Sequence, residues 1–400
     1  MKKIINRIYP SSLTAAMLLV YSGSVLYIIP WQSFSHLRVF LPVITTVLFW
    51  DLLREKIKLN KFDLTLCVMI LFLALINFSV SKFGIALLIV ILLITFRHPQ
   101  ELSRRYLTFL YLCFLISIIY QFLTFRTEIY EYIPSSLYRF SLYTIPDPNF
   151  SGLFILLFFF FCWKNSFKVG ILLSIISIFL LSSRGYLIAM LIFMCVLTLE
   201  KFSPRFFINK RFWLLTNHKR YFLTLILVGN LLIFAIGTFY VYNIKLETIK
   251  IKETNERLKL ENIADPSNRE RFLASEKTIQ LLTENLDILL YGIPKSAFGD
   301  DIKPSDSIKK ILNFNVPHNS VLYFVLSEGI LFCIPYFYAL GKILSRLYSP
   351  ENLKYILPYI VFSLVLHGFY GGAPVVFWVV TLSLLEFNPK NGSSLLGMVR

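Results

Sequence analysis

Blocks of consecutive apolar residues recur along almost the whole chain, and they limit its possible folds more than any other feature. Many are roughly 17 to 25 residues long, the length that an α-helix needs to cross a ~30 Å hydrocarbon core at 1.5 Å per residue. Backbone amides in lipid must be paired within their own segment, so these blocks are expected to be helices. Only 16% of the residues are charged. The sequence therefore predicts an all-α polytopic membrane protein.

The positions of the blocks predict about twelve transmembrane helices and three regions of the chain. Residues 1–243 hold the first nine helices, residues 244–317 form a loop subdomain, and residues 318–400 hold the last three helices and a tail. The apolar run after Pro10 has no clear small-x-small cleavage site, so it is interpreted as an uncleaved first span. The predicted spans are 11–31, 36–53, 62–81, 83–96, 106–123, 150–163, 167–183, 185–199, 221–243, 319–345, 354–370 and 372–386.

Lysine and arginine are distributed unequally between the two sides of these spans. One side holds 23 of the 40, the short loops of the other side hold five, Lys82 and Arg184 among them, and segment 244–317 holds 12. Loops rich in Lys and Arg stay in the cytoplasm, so both termini are predicted to be cytoplasmic. The net charge of +17 follows from this bias. A nucleic-acid partner is therefore not expected.

The long segment 244–317 carries 12 basic and 12 acidic residues and is locally neutral. Ser267 and Glu270 form a capping-box pattern, which predicts a helix of about six turns from near Asn268 to just before Gly292, with its apolar face on the membrane domain. Arg269 and Arg271 fall in its first turn, where the helix dipole disfavours cations. They either bind an external anion or belong to a solvated face of mixed charge.

Arg184 follows two serines at the outer junction of two predicted spans and precedes Gly185. Its guanidinium either extends to the lipid headgroups or, together with the free N–H groups at the start of the next helix, binds one anion. A lipid diphosphate is the anion expected on that side.

His318 lies where the long segment re-enters the membrane, next to Asn319 and Ser320, either of which can cap the following helix. The imidazole is either a capping or hydrogen-bonding group or a proton acceptor near neutral pH. Glu328 lies ten residues further on. It is expected roughly 15 Å deeper, with a structural role inside the bundle.

Together these stretches resemble the O-antigen polymerase and O-antigen ligase superfamily of bacterial envelope glycosyltransferases, with the Wzy-type polymerase the closer match. The resemblance runs from about residue 147 to residue 345. It departs from the family at Leu273, where an aromatic residue is usual a turn after the loop arginine, so the choice between Arg269 and Arg271 stays open. The stretches that carry it are Asp147-Pro148-Asn149, Ser183-Arg184-Gly185, Ser267 to Gly292, and His318-Asn319-Ser320 with Glu328-Gly329.

The resemblance implies a GT-C-like enzyme of the bacterial inner membrane, with its active face in the periplasm and no metal, nucleotide sugar or other cofactor. Its substrates would be an undecaprenyl-diphosphate-linked glycan donor and a glycan acceptor, and a chain-length regulator is a candidate protein partner. His318 would be catalytic, Arg184 and Arg269 would bind the diphosphate, and Arg271, Asn319, Glu328 and Asn149 would support them.

Two other functions fit the same spans. A ligase would transfer the finished polysaccharide to lipid A-core, and a transporter or flippase would move the lipid-linked sugar across the bilayer. Transporters often have internal repeats and broken, charged helices at mid-membrane. The sequence has neither, and a transporter would not explain segment 244–317, so the polymerase is the preferred hypothesis.

Overall fold

The structure is a computed structural model of the 400-residue chain. It describes residues 60–95, 148–202, 266–294, 304–313, 316–347 and 352–363, together with Leu366, Val375 and Trp378. Within this part of the chain there are eleven α-helices with defined bounds and no β-strand, in agreement with an all-α fold. The helices are α1 Lys61–Leu75, α2 Val80–Thr95, α3 Pro148–Lys164, α4 Lys168–Leu181, α5 Arg184–Phe202, α6 Pro266–Glu284, α7 Leu286–Tyr291, α8 Pro304–Leu312, α9 Ser320–Glu328, α10 Ile330–Leu347 and α11 Leu353–Phe362.

Among the described helices, α5 alone is both long and apolar enough to cross a membrane, judged by length and composition. Shorter apolar helices occur within α2, α3 and α4 and at α11. Predicted spans 11–31, 36–53, 106–123 and 221–243 lie outside the described residues, as do the termini. Of span 372–386 the structure describes Val375 and Trp378, both helical.

Helices α1, α2 and α10 pack together, and their ends are joined by polar contacts. Asp63 near the start of α1 pairs with Lys342, and the Arg346 guanidinium lies 3.6 Å from the second Asp63 carboxylate oxygen. Arg346 also donates to the Leu93 carbonyl at 2.6 Å, near the end of α2. The start of α1 therefore lies beside the ends of α2 and α10, and the α1–α2 turn is at the opposite end.

A second group of helices comprises α3, α4, α5 and α11, and residues of α3, α5 and α11 form an aromatic cluster. Phe193 of α5 is central, with its ring centroid 5.1 Å from that of Phe159 and 5.8 Å from that of Tyr355. Lys354 at the start of α11 bonds the Glu200 carboxylate at 2.8 Å, near the end of α5. Helices α5 and α11 are thus antiparallel, so the end of α11 lies toward the start of α5.

The predicted continuous span 319–345 is wrong, because the chain forms two helices that fold back on each other. The Phe324 ring of α9 lies 4.7 Å from the Tyr336 ring of α10, between centroids, and 5.8 Å from the Phe337 ring. In one straight helix, residues 12 positions apart would be about 18 Å apart along the axis. Gly329 forms the vertex, with φ 82° and ψ 153°.

The long loop contributes α6, α7 and α8, which form a unit beside α9. The helix predicted from near Asn268 to Gly292 is divided at Asn285, and it begins at Pro266, so Ser267 lies inside the first turn. Proline suits this first position because its missing N–H is not needed there. Helix α6 packs on α9.

The loop unit is attached where Gly292, after α7, meets the vertex Gly329. A Cβ atom on Gly292 would lie 2.7 Å from the Ser327 carbonyl oxygen, and one on Gly329 would lie 2.6 Å from the Gly292 nitrogen and would overlap the Leu290 carbonyl oxygen. Both glycines have φ 82° with ψ near the extended value, a conformation essentially restricted to glycine. Two main chains therefore lie in direct contact at this point, hereafter the glycine junction.

Hydrogen bonds and a buried cation surround the glycine junction. The Ile293 amide donates to the Leu326 carbonyl at 3.1 Å, and the Asn77 side-chain amide donates to the Tyr291 carbonyl at 3.3 Å. Lys82 is 1% exposed and donates from Nζ to the Ile76 and Glu328 carbonyls at 3.1 and 3.0 Å. Lys82 was predicted to lie in a short loop, and it instead lies inside α2.

The Gly329→Ala variant should be less stable by about 3 kcal/mol, because the new methyl group needs a strained φ and overlaps the opposite main chain. The measurement is thermal unfolding of the purified protein in detergent. The matched control is Ile334→Ala on α10, whose side chain is 62% exposed, and it should change the midpoint little. Equal midpoints for the two variants would contradict the described contact.

Candidate functional site

The start of α3 and the start of α5 are joined by a buried hydrogen bond. The Ser183 hydroxyl donates to Oδ1 of Asn149 at 2.9 Å, and Asn149 is 8% exposed. Asn149 is the second residue of α3, as expected from the Asp-Pro-Asn pattern that opens this helix. Two of the stretches that carry the family resemblance therefore touch each other.

Arg184 is the first residue of α5 and is half-buried. The preceding residue caps the helix, because Ser183 Oγ accepts a hydrogen bond from the Tyr186 amide at 3.4 Å. Ser182 turns the chain into this cap with a left-handed conformation, φ 45°. The first N–H groups of a helix have no acceptor within the helix, so guanidinium and amide donors can act on one anion here.

The segment that contains His318 is hydrogen-bonded to main-chain carbonyls just after the end of α11. The Ser320 amide donates to the Ser363 carbonyl at 3.1 Å, and the Ser320 hydroxyl bonds the Leu366 carbonyl. His318 itself is half-buried, two residues before Ser320. The start of α9 is therefore fixed to the residues that follow α11.

Phe362, at the end of α11, links the start of α9 to the contact between the starts of α3 and α5. A Cβ atom on Gly152 of α3 would lie 3.4 Å from the Phe362 ring and 3.1 Å from Cβ of Tyr186. The start of α3 thus lies against the Phe362 ring and against Tyr186 of α5, while the start of α9 is hydrogen-bonded to Ser363. We call this meeting point, made up of Asn149, Ser183, Arg184, His318–Ser320 and Phe362–Ser363, the candidate site.

The sequence left open whether Asn319 or Ser320 caps α9, and the structure assigns the cap to Asn319. Its side-chain oxygen accepts a hydrogen bond from the Leu322 amide at 2.9 Å, which makes it the N-cap of α9. His318 precedes the cap and is not the N-cap itself. Asn319 therefore occupies the capping position itself, while a hydrogen-bonding role and a proton-accepting role for His318 both stay open.

The loop arginines belong to α6, which contacts α9. Arg269 lies in the first turns of α6, and its side chain is outside the described part of the structure. Arg271 is half-buried, and its carbonyl accepts a hydrogen bond from the Ser275 hydroxyl at 2.9 Å. The choice between Arg269 and Arg271 as the functional residue therefore stays open.

Glu328 is 3% exposed, as expected for a structural residue, and it lies at the far end of α9 from His318, as its spacing predicts. The helix was expected to continue beyond Glu328, but α9 ends there. The structure puts Glu328 at the α9–α10 vertex, with its carbonyl bonded to Lys82 beside the α1–α2 turn. The reason is the glycine at position 329, which turns the chain back.

Several residues of these contacts were not singled out from the sequence. Ser363 and Leu366 contribute main-chain carbonyls, which leave no sequence signal. Lys82 looked like an ordinary loop cation. Gly292 and Gly329 did follow helical runs, a typical stop signal, but nothing in the pattern indicates that they touch.

Within the described residues, no group of three or more His, Cys, Asp or Glu side chains is arranged to hold a metal ion. No protein-family model matches the chain, and no curated protein or solved structure matches it either.

The Asn149–Ser183 hydrogen bond should make the effects of the two substitutions on the free energy of unfolding non-additive. Asn149→Ala and Ser183→Ala should each cost about 1 to 3 kcal/mol, because each leaves a buried polar partner unsatisfied. The double variant should cost less than their sum by about 1 kcal/mol. Thermal unfolding of the three variants in detergent measures this, and strict additivity would show that the bond contributes nothing.

Proposed function

We propose that the chain is a multi-pass protein of the bacterial inner membrane, with about twelve spans and both termini in the cytoplasm. The support comes from exposed apolar side chains that recur along single faces of α1, α4 and α5, an arrangement typical of lipid contact. These side chains are Phe62, Leu64, Val68, Met69, Phe72 and Leu75 on α1, Val169, Leu172, Ile175, Ile176 and Phe179 on α4, and Ile188, Leu191, Met194, Leu199 and Phe202 on α5.

We further propose that it is a GT-C-like O-antigen polymerase, a metal-independent glycosyltransferase that joins undecaprenyl-diphosphate-linked repeat units at the periplasmic face. The observation that carries this proposal is the meeting of the Arg184 and His318 segments around Phe362 and Ser363. A cation at a helix N-terminus and an imidazole are the groups that diphosphate departure and hydroxyl activation require.

In the proposed reaction, a sugar hydroxyl of the acceptor attacks the anomeric carbon of the donor. The new glycosidic C–O bond forms while the bond between the anomeric carbon and the diphosphate oxygen breaks, and undecaprenyl diphosphate leaves with the electron pair. His318 accepts the hydroxyl proton. Arg184 and a loop arginine, Arg269 in the first place, stabilise the charge that develops on the leaving diphosphate. Each should contribute on the order of 2 to 4 kcal/mol to lowering the barrier.

A ligase would use the same donor chemistry and differ in its acceptor, which would be lipid A-core. A transporter would move the lipid-linked sugar without making a glycosidic bond. The experiment described next distinguishes the ligase and the transporter from the polymerase.

The purified protein, incubated with a lipid-linked repeat unit and no added metal, should give a ladder of longer lipid-linked products. The ladder is expected because one repeat unit serves as donor and another as acceptor. Product formed only when lipid A-core is added would identify a ligase. Translocation in proteoliposomes without any lengthening would instead support the transporter.

Substitution of His318 by Ala, Gln, Asn or Ser should abolish transfer and leave donor binding intact, since a general base acts on the transition state more than on the ground state. A general base contributes about 10²- to 10⁴-fold to the rate. Rate and donor affinity are measured side by side in detergent. Asn313→Gly is the control, because Asn313 precedes the same segment at φ 47°, where glycine fits. A near-normal rate in the Asn variant would remove His318 from the chemistry.

A further inference from the structure

Lys82 is the only lysine among the largest fully buried side chains of the described residues, and its environment is unusual for a cation. Its ammonium bonds the carbonyl of Ile76, the residue after α1, and that of Glu328, the last residue of α9. It also lies 5.2 Å from the Phe332 ring centroid of α10. Carbonyls at helix ends carry the negative end of the helix dipole, so a cation is stabilised there.

Through these bonds Lys82 connects the turn between α1 and α2 to the α9–α10 vertex, where the loop unit is attached. The Glu328 carbonyl that it binds is adjacent to Gly329, and the Gly329 main chain is in contact with Gly292. The Asn77 amide binds Tyr291 from the same turn. The position of α7, and of α6 before it, is thereby set against α9, the helix that begins at Asn319 next to His318.

We propose that Lys82 is a positioning residue that fixes the loop unit carrying Arg269 and Arg271 relative to His318. This inference rests on the proposed function for its catalytic consequence but not for its structural part. Lys82 does not contact substrate. It holds the glycine junction closed, and the junction determines where the loop arginines lie.

The structural part is tested by hydrogen exchange of the full-length protein in detergent, with Lys82→Met as the variant. Peptides that contain the Gly292 and Ile293 amides should exchange about tenfold faster, as loss of roughly one buried hydrogen bond predicts, while peptides of α5 should not change. Lys309→Met, which removes an exposed lysine of α8, is the matched control and should leave both unchanged. Unaltered exchange at 292–293 in the Lys82 variant would overturn the proposal.

If Lys82→Met unfolds the whole protein, Asn77→Gly decides the question. Asn77 has φ 51°, a backbone angle that glycine adopts readily, so this variant removes the hydrogen bond to the Tyr291 carbonyl without straining the backbone. Faster exchange confined to residues 286–294 supports a junction held from the α1–α2 turn. Normal exchange there would overturn it.

The catalytic part is tested by transfer kinetics. Lys82→Met should weaken donor affinity and lower kcat/KM as Arg269→Ala does, unlike the His318 variants, which keep donor affinity. The double variant Lys82→Met/Arg269→Ala should be no worse than Arg269→Ala alone, because both act through the same contact. Intact donor affinity in the Lys82 variant, or additive losses, would refute the positioning role. If wild-type protein transfers no sugar, the proposed function fails, while the exchange result still reports on the junction.

Discussion

The contact between the main chains at Gly292 and Gly329 is the constraint on which the described architecture depends. It brings together the loop unit, the α9–α10 hairpin and, through Lys82 and Asn77, the α1–α2 turn. Each glycine is required twice, once for its backbone angle and once for the absence of a side chain. Protein interiors are closely packed, so a displacement of one main chain here must move the other.

Helix α9 connects this constraint to the candidate site. It is nine residues long, so its two ends are about 13 Å apart. One end is fixed to the residues after α11 through Ser320, and the other carries Glu328 at the vertex. Because both ends are held, α9 acts as a short rigid spacer between the imidazole of His318 and the attachment point of the loop.

The sequence was informative where local chemistry decides the structure and uninformative where distant segments meet. Apolar blocks predicted α2 to α5 to within three residues at each end, whereas predicted span 62–81 runs six residues past the end of α1. Asn149, Arg184 and Asn319 lie at helix starts as their local patterns indicated. The turn at Gly329 was missed because the apolar run continues through it, and hydropathy does not register a change of direction. The burial of Lys82 was missed for a related reason, since its partners are carbonyls that every residue possesses. Neither the meeting of segments around Phe362 nor the glycine junction has a local signal.

The separation of Lys82 and Glu328 along the chain has a consequence for biosynthesis. The two residues are 246 positions apart. At a synthesis rate of about 5 to 20 residues per second, roughly 12 to 50 s pass between the appearance of the lysine and that of its second carbonyl partner. The α1–α2 hairpin must therefore persist in the growing chain with its ammonium incompletely coordinated, and it acquires its final stability only when α9 and α10 arrive. Closing so long a loop is slow, which makes this junction one of the last parts of the protein to mature.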